Sequence, residues 1–194
     1  MLTLNDYLTQ LASEEPAPGG GSAAMVVAAA GCSLVAMVAR ICASSPKYSG
    51  VHEAARRLVA DADGLREQTM VLRAQDERAY AAVVAARGDK AAMQRALHAA
   101  ASVPLEGARA ALRVLELAAV ALSLQNANLI SDVGCAAEFG YAALEACAYN
   151  VRINHKFMKD EDAIRTQSAE LDELRRKAAE ALKSLRDSVN ASLS

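Results

Sequence analysis

Aromatic residues are scarce in this sequence of 194 residues, which contains no Trp, two Phe and five Tyr. Glycine and proline are also few, with ten and four positions, whereas alanine occupies 45. A β-sheet would require more β-branched and aromatic residues, while alanine has the highest intrinsic helix propensity. The composition therefore predicts an all-α protein. Its length suits one domain over residues 1–194 with a sizeable core.

A large excess of one charge is also absent, since 23 Asp and Glu face 21 Lys and Arg. A general nucleic-acid-binding protein would carry a basic excess, so we expect no nucleic-acid partner. None of the four cysteines belongs to a C-x-x-C pair and no secretory signal opens the chain, which favours a reducing cytoplasm with the thiols in the core. The three histidines lack metal-ligand spacing, so we predict no metal site.

An uncharged run extends from Pro16 to Ala39 and is long enough to cross a bilayer. It consists of Ala, Gly and Ser more than Leu, Ile or Phe, and no basic cluster flanks it, so we expect a helix buried in a bundle or at a subunit interface rather than a membrane span. Gly31 and Ser33 would let another helix approach this one closely. A second small-residue helix is predicted from Ser131 to about Val151. One small bundle would not bury both, which predicts a homodimer that packs them across its interface.

The hydrophobic pattern of the rest of the chain predicts a bundle of long antiparallel helices. Thr3 would cap a short first helix, and residues 44–50 form a loop. Because proline is common at the first helical position, Pro104 is expected to begin a new helix. The predicted helices after the loop are 51–87, 90–101, 104–124, 131–151 and 160–190.

Asp76 is an anomaly on the long third helix, because it falls on the stripe that carries Leu65 and Leu72. A carboxylate in that position is either a core group satisfied by hydrogen bonds or a general acid/base whose pKa is raised by burial. The residues alone leave both interpretations open.

Two loop segments offer further polar groups. The run Gly19-Gly20-Gly21-Ser22 exposes backbone N–H groups at a helix N-terminus, where it either binds an anion or polar heterocycle or serves as a plain turn and cap. It is not a P-loop. Asn126 and Asp132 either cap the following helix or bind a ligand. Asn150 and Asn154 are one helical turn apart and are expected to share a face.

These motifs resemble, in order and over nearly the whole chain, the formiminotransferase-cyclodeaminase C-terminal family. That family also includes stand-alone methenyltetrahydrofolate cyclohydrolases. The chain differs at Ser44-Ser45-Pro46-Lys47-Tyr48, where the family has Gly-Lys-Lys-Lys-Tyr, and at Gln125, where it has Gly. The matching segments are Pro16–Ser22, Asp76-x-x-Ala79-Tyr80, Ala101–Leu105, Asn126 with Ser131-Asp132, and Asn150–Asn154.

The resemblance implies an all-helical dimer with a folate site in the groove at the subunit interface. In the cyclohydrolase reaction, water attacks the methenyl carbon of 5,10-methenyltetrahydrofolate and 10-formyltetrahydrofolate forms. In the cyclodeaminase reaction, N10 attacks the formimino carbon and ammonia leaves. Both require proton transfers, and neither requires a metal or a cofactor beyond the folate substrate.

By its position in the motif, Asp76 is the residue that the resemblance implies for proton transfer. Gly19, Gly20, Gly21 and Ser22 would supply backbone and hydroxyl donors. The polar edges of the pterin would meet Asn126, Asp132, Asn150 and Asn154. Lys47 and Tyr48 would meet the glutamate tail.

Two alternatives remain beside a folate enzyme. The first is a divergent member of the family that acts on another amidine-like or pterin-like small molecule. The second is a non-catalytic helical dimer that serves as a binding or assembly module. The substitution Asp76→Asn separates these classes, because an enzyme would lose turnover and keep its fold, whereas a non-catalytic module would change only in stability.

Overall fold

The computed structural model describes residues 3–194, which form six α-helices and no strand. Two short 3₁₀ segments, Pro46–Val51 and Ala127–Leu129, connect α2 to α3 and α4 to α5. The predicted all-α class is therefore confirmed. The helices are α1 (Leu4–Leu11), α2 (Gly20–Ser44), α3 (His52–Ala85), α4 (Lys90–Ser123), α5 (Ile130–His155) and α6 (Glu161–Leu193).

Helix α2 lies at the centre of the bundle, in contact with α3, α4 and α5. By length and composition it is the helix among the described residues that is apolar enough to cross a membrane. Most of its apolar stretch is buried inside the bundle, as in the core helix of a water-soluble fold. On α3 the predicted stripe is buried at Leu58, Leu65 and Leu72. Three of the four cysteines lie in the core, while Cys135 is exposed.

Glycines bring α2, α4 and α5 close together. A Cβ atom at Gly31 would lie 2.8 Å from Cγ1 of Val114, and one at Gly140 would lie 3.1 Å from Cβ of the same valine. The predicted close approach at Gly31 is therefore confirmed. Ser33, in contrast, lies on the exposed face of α2, where its hydroxyl donates to the carbonyl of Ala29.

Pro104 does not begin a new helix, contrary to the prediction, because α4 continues through it without interruption. Proline cannot donate to the carbonyl four residues earlier, and a helix usually kinks or ends where that bond is lost. Here the carbonyl in question, that of Ala100, accepts a hydrogen bond of 3.0 Å from Nδ2 of Asn154 on α5. The helix continues because a side chain of its neighbour replaces the missing backbone donor.

The antiparallel packing of the helices gives the bundle two distinct ends. At one end, Gly20 and Gly21 in the first turn of α2 meet Asn150 on α5 and Asp76 on α3. At the other end, Cys42 in the last turns of α2 meets Asn126 in the segment before α5. We call these the glycine end and the far end.

Candidate functional site

A cavity of about 340 Å³ opens at the glycine end of the bundle. The turn before α2 forms one wall, and α3 forms the opposite wall with Asp76, Glu77 and Tyr80. Helices α4 and α5 complete the lining with apolar side chains and with Asn150 and Asn154. Four helices and the turn before α2 therefore converge on one small volume.

The Asp76 carboxyl group packs directly against the first turn of α2. A Cβ atom at Gly21 would lie 2.7 Å from Cγ of Asp76, so no residue larger than glycine fits there without displacing the carboxyl group. No side chain caps this end of α2, whose N-cap residue is Gly19. The Asp76 carboxyl group therefore faces backbone N–H groups that have no partner within the helix, at the positive end of a helix dipole.

Burial is the main reason why the pKa of Asp76 is raised above its ordinary value, because desolvation disfavours the charged form. The backbone N–H of Ser22 opposes this shift, and the negative charge of Glu77 adds to it. A carboxyl group with a raised pKa in a cavity has the properties of a general acid/base. The role of Asp76 in proton transfer stays a prediction.

Ser22 belongs to a buried hydrogen-bonded network rather than to the cavity surface. Its hydroxyl oxygen lies 2.8 Å from the Tyr7 hydroxyl and donates a bond of 2.8 Å to Oε1 of Glu77. Nη1 of Arg73 donates to the same Oε1 at 2.7 Å, and its guanidinium group lies over the Tyr7 ring, 5.6 Å from the ring centre. Tyr7, Arg73 and Glu77 were not among the site residues predicted from the sequence. The i, i+4 spacing of Arg73 and Glu77 was the available signal.

Asn150 and Asn154 share a face of α5 as predicted, and both line the cavity. Nδ2 of Asn150 donates to the carbonyl of Ala146, while Nδ2 of Asn154 donates to the carbonyls of Asn150 and Ala100. Both amide groups are thereby held in fixed orientations by the helices around them.

Four predicted site residues lie at the far end instead. Lys47 and Tyr48 belong to the 3₁₀ segment after α2, and Asp132 lies in the first turn of α5. Asn126 is 7% exposed, and its side chain accepts from the backbone N–H of Asn128. It therefore caps the 3₁₀ segment Ala127–Leu129 and not α5, which begins without a side-chain cap, contrary to the cap interpretation of Asn126 and Asp132. Helix α2 has 25 residues, and at 1.5 Å per residue it separates the two ends by roughly 37 Å. One chain does not bring these four residues to the cavity.

Two aromatic residues at the rim of the cavity were also missed. Tyr80 and Phe157 both line it, and they are 37% and 56% exposed. Tyr80 stands in the motif with Asp76, but no sequence pattern marks Phe157. Aromatic rings that stay open to solvent beside a cavity offer flat apolar surfaces to a planar ligand.

Among the described residues 3–194, no group of three or more His, Cys, Asp or Glu side chains is placed to hold a metal ion. Two of the histidines make other contacts: His52 with the carbonyl of Ser45, and His155 with the side chain of Gln167.

Comparison with known proteins gives consistent results. Residues 3–173 match the family model for formiminotransferase-cyclodeaminase. Methenyltetrahydrofolate cyclohydrolase of Methylorubrum extorquens is 36% identical over 169 residues, which are 81% of each chain. Formimidoyltransferase-cyclodeaminase of Mus musculus is 29% identical over 82% of this chain but only 31% of its own length. The crystal structure of formiminotetrahydrofolate cyclodeaminase from Thermotoga maritima matches with a TM-score of 0.95 and 27% identity, covering 100% of this chain and 98% of that one.

Proposed function

Because the chain belongs to the formiminotransferase-cyclodeaminase family, we propose that it is a folate one-carbon enzyme that hydrolyses 5,10-methenyltetrahydrofolate to 10-formyltetrahydrofolate. The observation that carries this proposal is the partly buried Asp76 carboxyl group, which packs against the first turn of α2 inside a cavity. The choice of cyclohydrolase rests on the M. extorquens relative, which matches over 81% of both chains.

In the proposed mechanism, Asp76 transfers protons at the bridging carbon. The ionised carboxylate accepts a proton from water as the water oxygen bonds to the methenyl carbon, which becomes tetrahedral and neutral. Asp76 then returns the proton to N5 as the bond between carbon and N5 breaks. The remaining hydroxyl proton is released to solvent as the formyl group forms on N10. A raised pKa suits Asp76 to both steps, since it must accept and donate near neutral pH.

The cavity walls provide surfaces for the rest of the ligand. We propose that the pterin ring lies between the aromatic side chains of Tyr80 and Phe157 and that its polar edge meets the backbone N–H groups of Gly20 and Gly21. The amide oxygens of Asn150 and Asn154 are available as acceptors, because within residues 3–194 these two side chains form hydrogen bonds through Nδ2 only. No cofactor other than the folate substrate takes part.

A second candidate is the cyclisation of 5-formiminotetrahydrofolate with release of ammonia. The observation in its favour is the TM-score of 0.95 to the cyclodeaminase of T. maritima. In this reaction N10 attacks the formimino carbon, and the departing nitrogen needs a proton. Asp76 would donate that proton from the same position.

The proposed functional unit is a cytoplasmic homodimer. Exposed apolar side chains that a second copy would cover occur at Met37 and Ile41 on α2, at Met70 and Val71 on α3, and at Tyr149 on α5. A twofold axis across the middle of the helices would place the far end of one copy beside the glycine end of the other. Lys47 and Asp132 of the partner would then complete the ligand groove.

The direct test follows the near-ultraviolet absorbance of 5,10-methenyltetrahydrofolate against its uncatalysed hydrolysis. We expect the wild-type protein to accelerate the reaction and Asp76→Asn to lose about 100-fold or more in kcat, since one general acid/base contributes 10² to 10⁴. Asp61→Asn, a matched change at an exposed carboxylate on the same helix, should leave the rate unchanged.

Three results would contradict parts of this proposal. Acceleration of the formimino substrate alone would establish the second candidate. Full activity in Asp76→Asn would refute the role of that residue. A folded wild-type protein that accelerates neither reaction would refute the folate assignment, and circular dichroism checks the fold in each case.

A further inference from the structure

The cavity contains a second carboxylate directly beside the first. Consecutive residues of an α-helix point about 100° apart, so Asp76 and Glu77 meet different parts of the α2 N-terminus. Asp76 packs against Gly21, and Glu77 accepts from the hydroxyl group of Ser22. Together the two carboxyl groups of α3 hold the first turn of α2 from two sides.

Glu77 is fixed in place far more firmly than a surface glutamate would be. Its Oε1 accepts both from Ser22 and from Arg73, at 2.8 and 2.7 Å. Ser22 is fully buried and is bonded in turn to Tyr7 of α1, over whose ring the Arg73 guanidinium lies. The network therefore joins α1, α2 and α3 around one oxygen atom of Glu77.

We propose that Glu77 is a positioning residue of this site: held by Arg73 and Ser22, it fixes the first turn of α2 against the Asp76 carboxyl group and places a negative charge beside it. The expected effect of Glu77 on kcat rests on the proposed function. Its expected effect on the pKa of Asp76 does not. The proposed reaction needs only Asp76 to carry a proton. A positioning role explains why Glu77, paired with Arg73, also lines the cavity.

The other groups that face Asp76 carry no charge near neutral pH. Burial raises the pKa of Tyr7 on α1 above its ordinary value, and it raises the pKa of Cys147 on α5 to about 12. Helix α2 contributes backbone N–H groups, and α4 lines the cavity with Leu97 and Ala100. Glu77 is therefore the charged side chain that acts on Asp76, and Arg73 is the ion-pair partner of Glu77.

The two charges should act on Asp76 in opposite directions. A neighbouring negative charge disfavours ionisation of a carboxyl group, so Glu77→Gln should lower the pKa of Asp76. A neighbouring positive charge favours ionisation, so Arg73→Met should raise it. Arg73→Lys keeps the positive charge, so the pKa of Asp76 should stay near its wild-type value. A network whose charges lie too far from Asp76 to act on it would not produce opposite shifts.

The test is a titration of Asp76 by ¹³C NMR in protein labelled at the aspartate carboxyl carbons, with the Asp76 resonance identified by its absence in Asp76→Asn. We expect the midpoint to fall by about one pH unit in Glu77→Gln and to rise by a similar amount in Arg73→Met. Unchanged midpoints in both variants, or shifts of the same sign, would overturn the inference. If Glu77→Gln does not fold, the comparison of Arg73→Met with Arg73→Lys still shows whether loss of the positive charge raises the pKa of Asp76.

The positioning half of the inference has a kinetic test. Tyr7→Phe removes one hydroxyl group of the network and no charge, so kcat should fall by about tenfold while the pH profile keeps its inflection. In Glu77→Gln the inflection of the profile should move to lower pH. An unchanged kcat in Tyr7→Phe would refute the positioning role. A folded protein without folate activity would refute the proposed function. The NMR titration needs no substrate, so it would still test whether Glu77 and Arg73 shift the pKa of Asp76.

Discussion

The side-chain amide of Asn154 replaces a backbone N–H group that Pro104 lacks. The carbonyl of Ala100 is the acceptor that residue 104 would normally serve, and it receives its bond from Nδ2 of Asn154. A buried carbonyl without a partner costs about 1–3 kcal/mol. This pair of residues is therefore a structural link between α4 and α5 in the wall of the cavity.

We predict that Asn154→Ala lowers the free energy of unfolding by about 1–3 kcal/mol. Adding Pro104→Ala should recover part of that loss, because residue 104 then supplies a backbone N–H group to Ala100. Urea unfolding of the wild type, the two single variants and the double variant measures the coupling. Strictly additive effects would show that the two residues act independently.

At the level of single residues, the sequence reveals Asp76 but not its surroundings. Asp76 can be found because a charged residue interrupts an apolar stripe, which is a local pattern. The network behind it cannot, since Ser22 lies 15 residues from Tyr7 and 55 from Glu77. Such contacts depend on how three helices pack, and no spacing within one helix encodes them.

At the level of helices, the packing of α2, α4 and α5 depends on glycine. Gly140 is the clearest case, since a Cβ atom there would lie 3.1 Å from Cβ of Val114 and 3.2 Å from the carbonyl oxygen of Ala111. Both neighbours belong to α4 and cannot rotate away. Gly64 on α3 provides a matched contrast, because nothing lies within 4 Å of the same added atom.

We predict opposite effects of the same substitution at these two glycines. Gly140→Ala should lower the free energy of unfolding by about 1–3 kcal/mol, because the helices must move apart. Gly64→Ala should raise it by about 0.5–1 kcal/mol through helix propensity alone. Thermal unfolding of both variants tests this, and an equal response of the two positions would refute the close-packing argument.

Most helices could be predicted from the sequence because their signals are local. Apolar residues at helical spacing placed α3 and α6, and Asp89 and Asp160 cap α4 and α6 with their side chains. The largest error was at Pro104, where the deciding interaction comes from a residue 50 positions away in the chain. A smaller error was the end of α5, which lies at His155 and not near Val151. Local patterns thus predict where helices form, but they fail at Pro104, where a hydrogen bond from another helix lets α4 continue.

At the level of the whole molecule, the site residues that the family resemblance implies are divided between the two ends of the bundle. Asp76 and the glycine turn lie at one end, and Lys47 and Asp132 lie at the other. No spacing in the sequence reveals this division, because it follows from the antiparallel course of α2 and α5. A homodimer with a perpendicular twofold axis would reunite the two sets in each of two grooves.

Subunit complementation tests this arrangement. Asp76→Asn and the double variant Lys47→Ala/Asp132→Asn should each have low activity, and light scattering should show both as dimers. After the two are unfolded and refolded together, half of the dimers contain one chain of each kind. Every mixed dimer then has one groove with both sets of wild-type residues, which predicts about a quarter of the wild-type activity. Activity that stays at the mean of the two parents would place the whole site within one chain, and a stable folded monomer would refute the dimer itself.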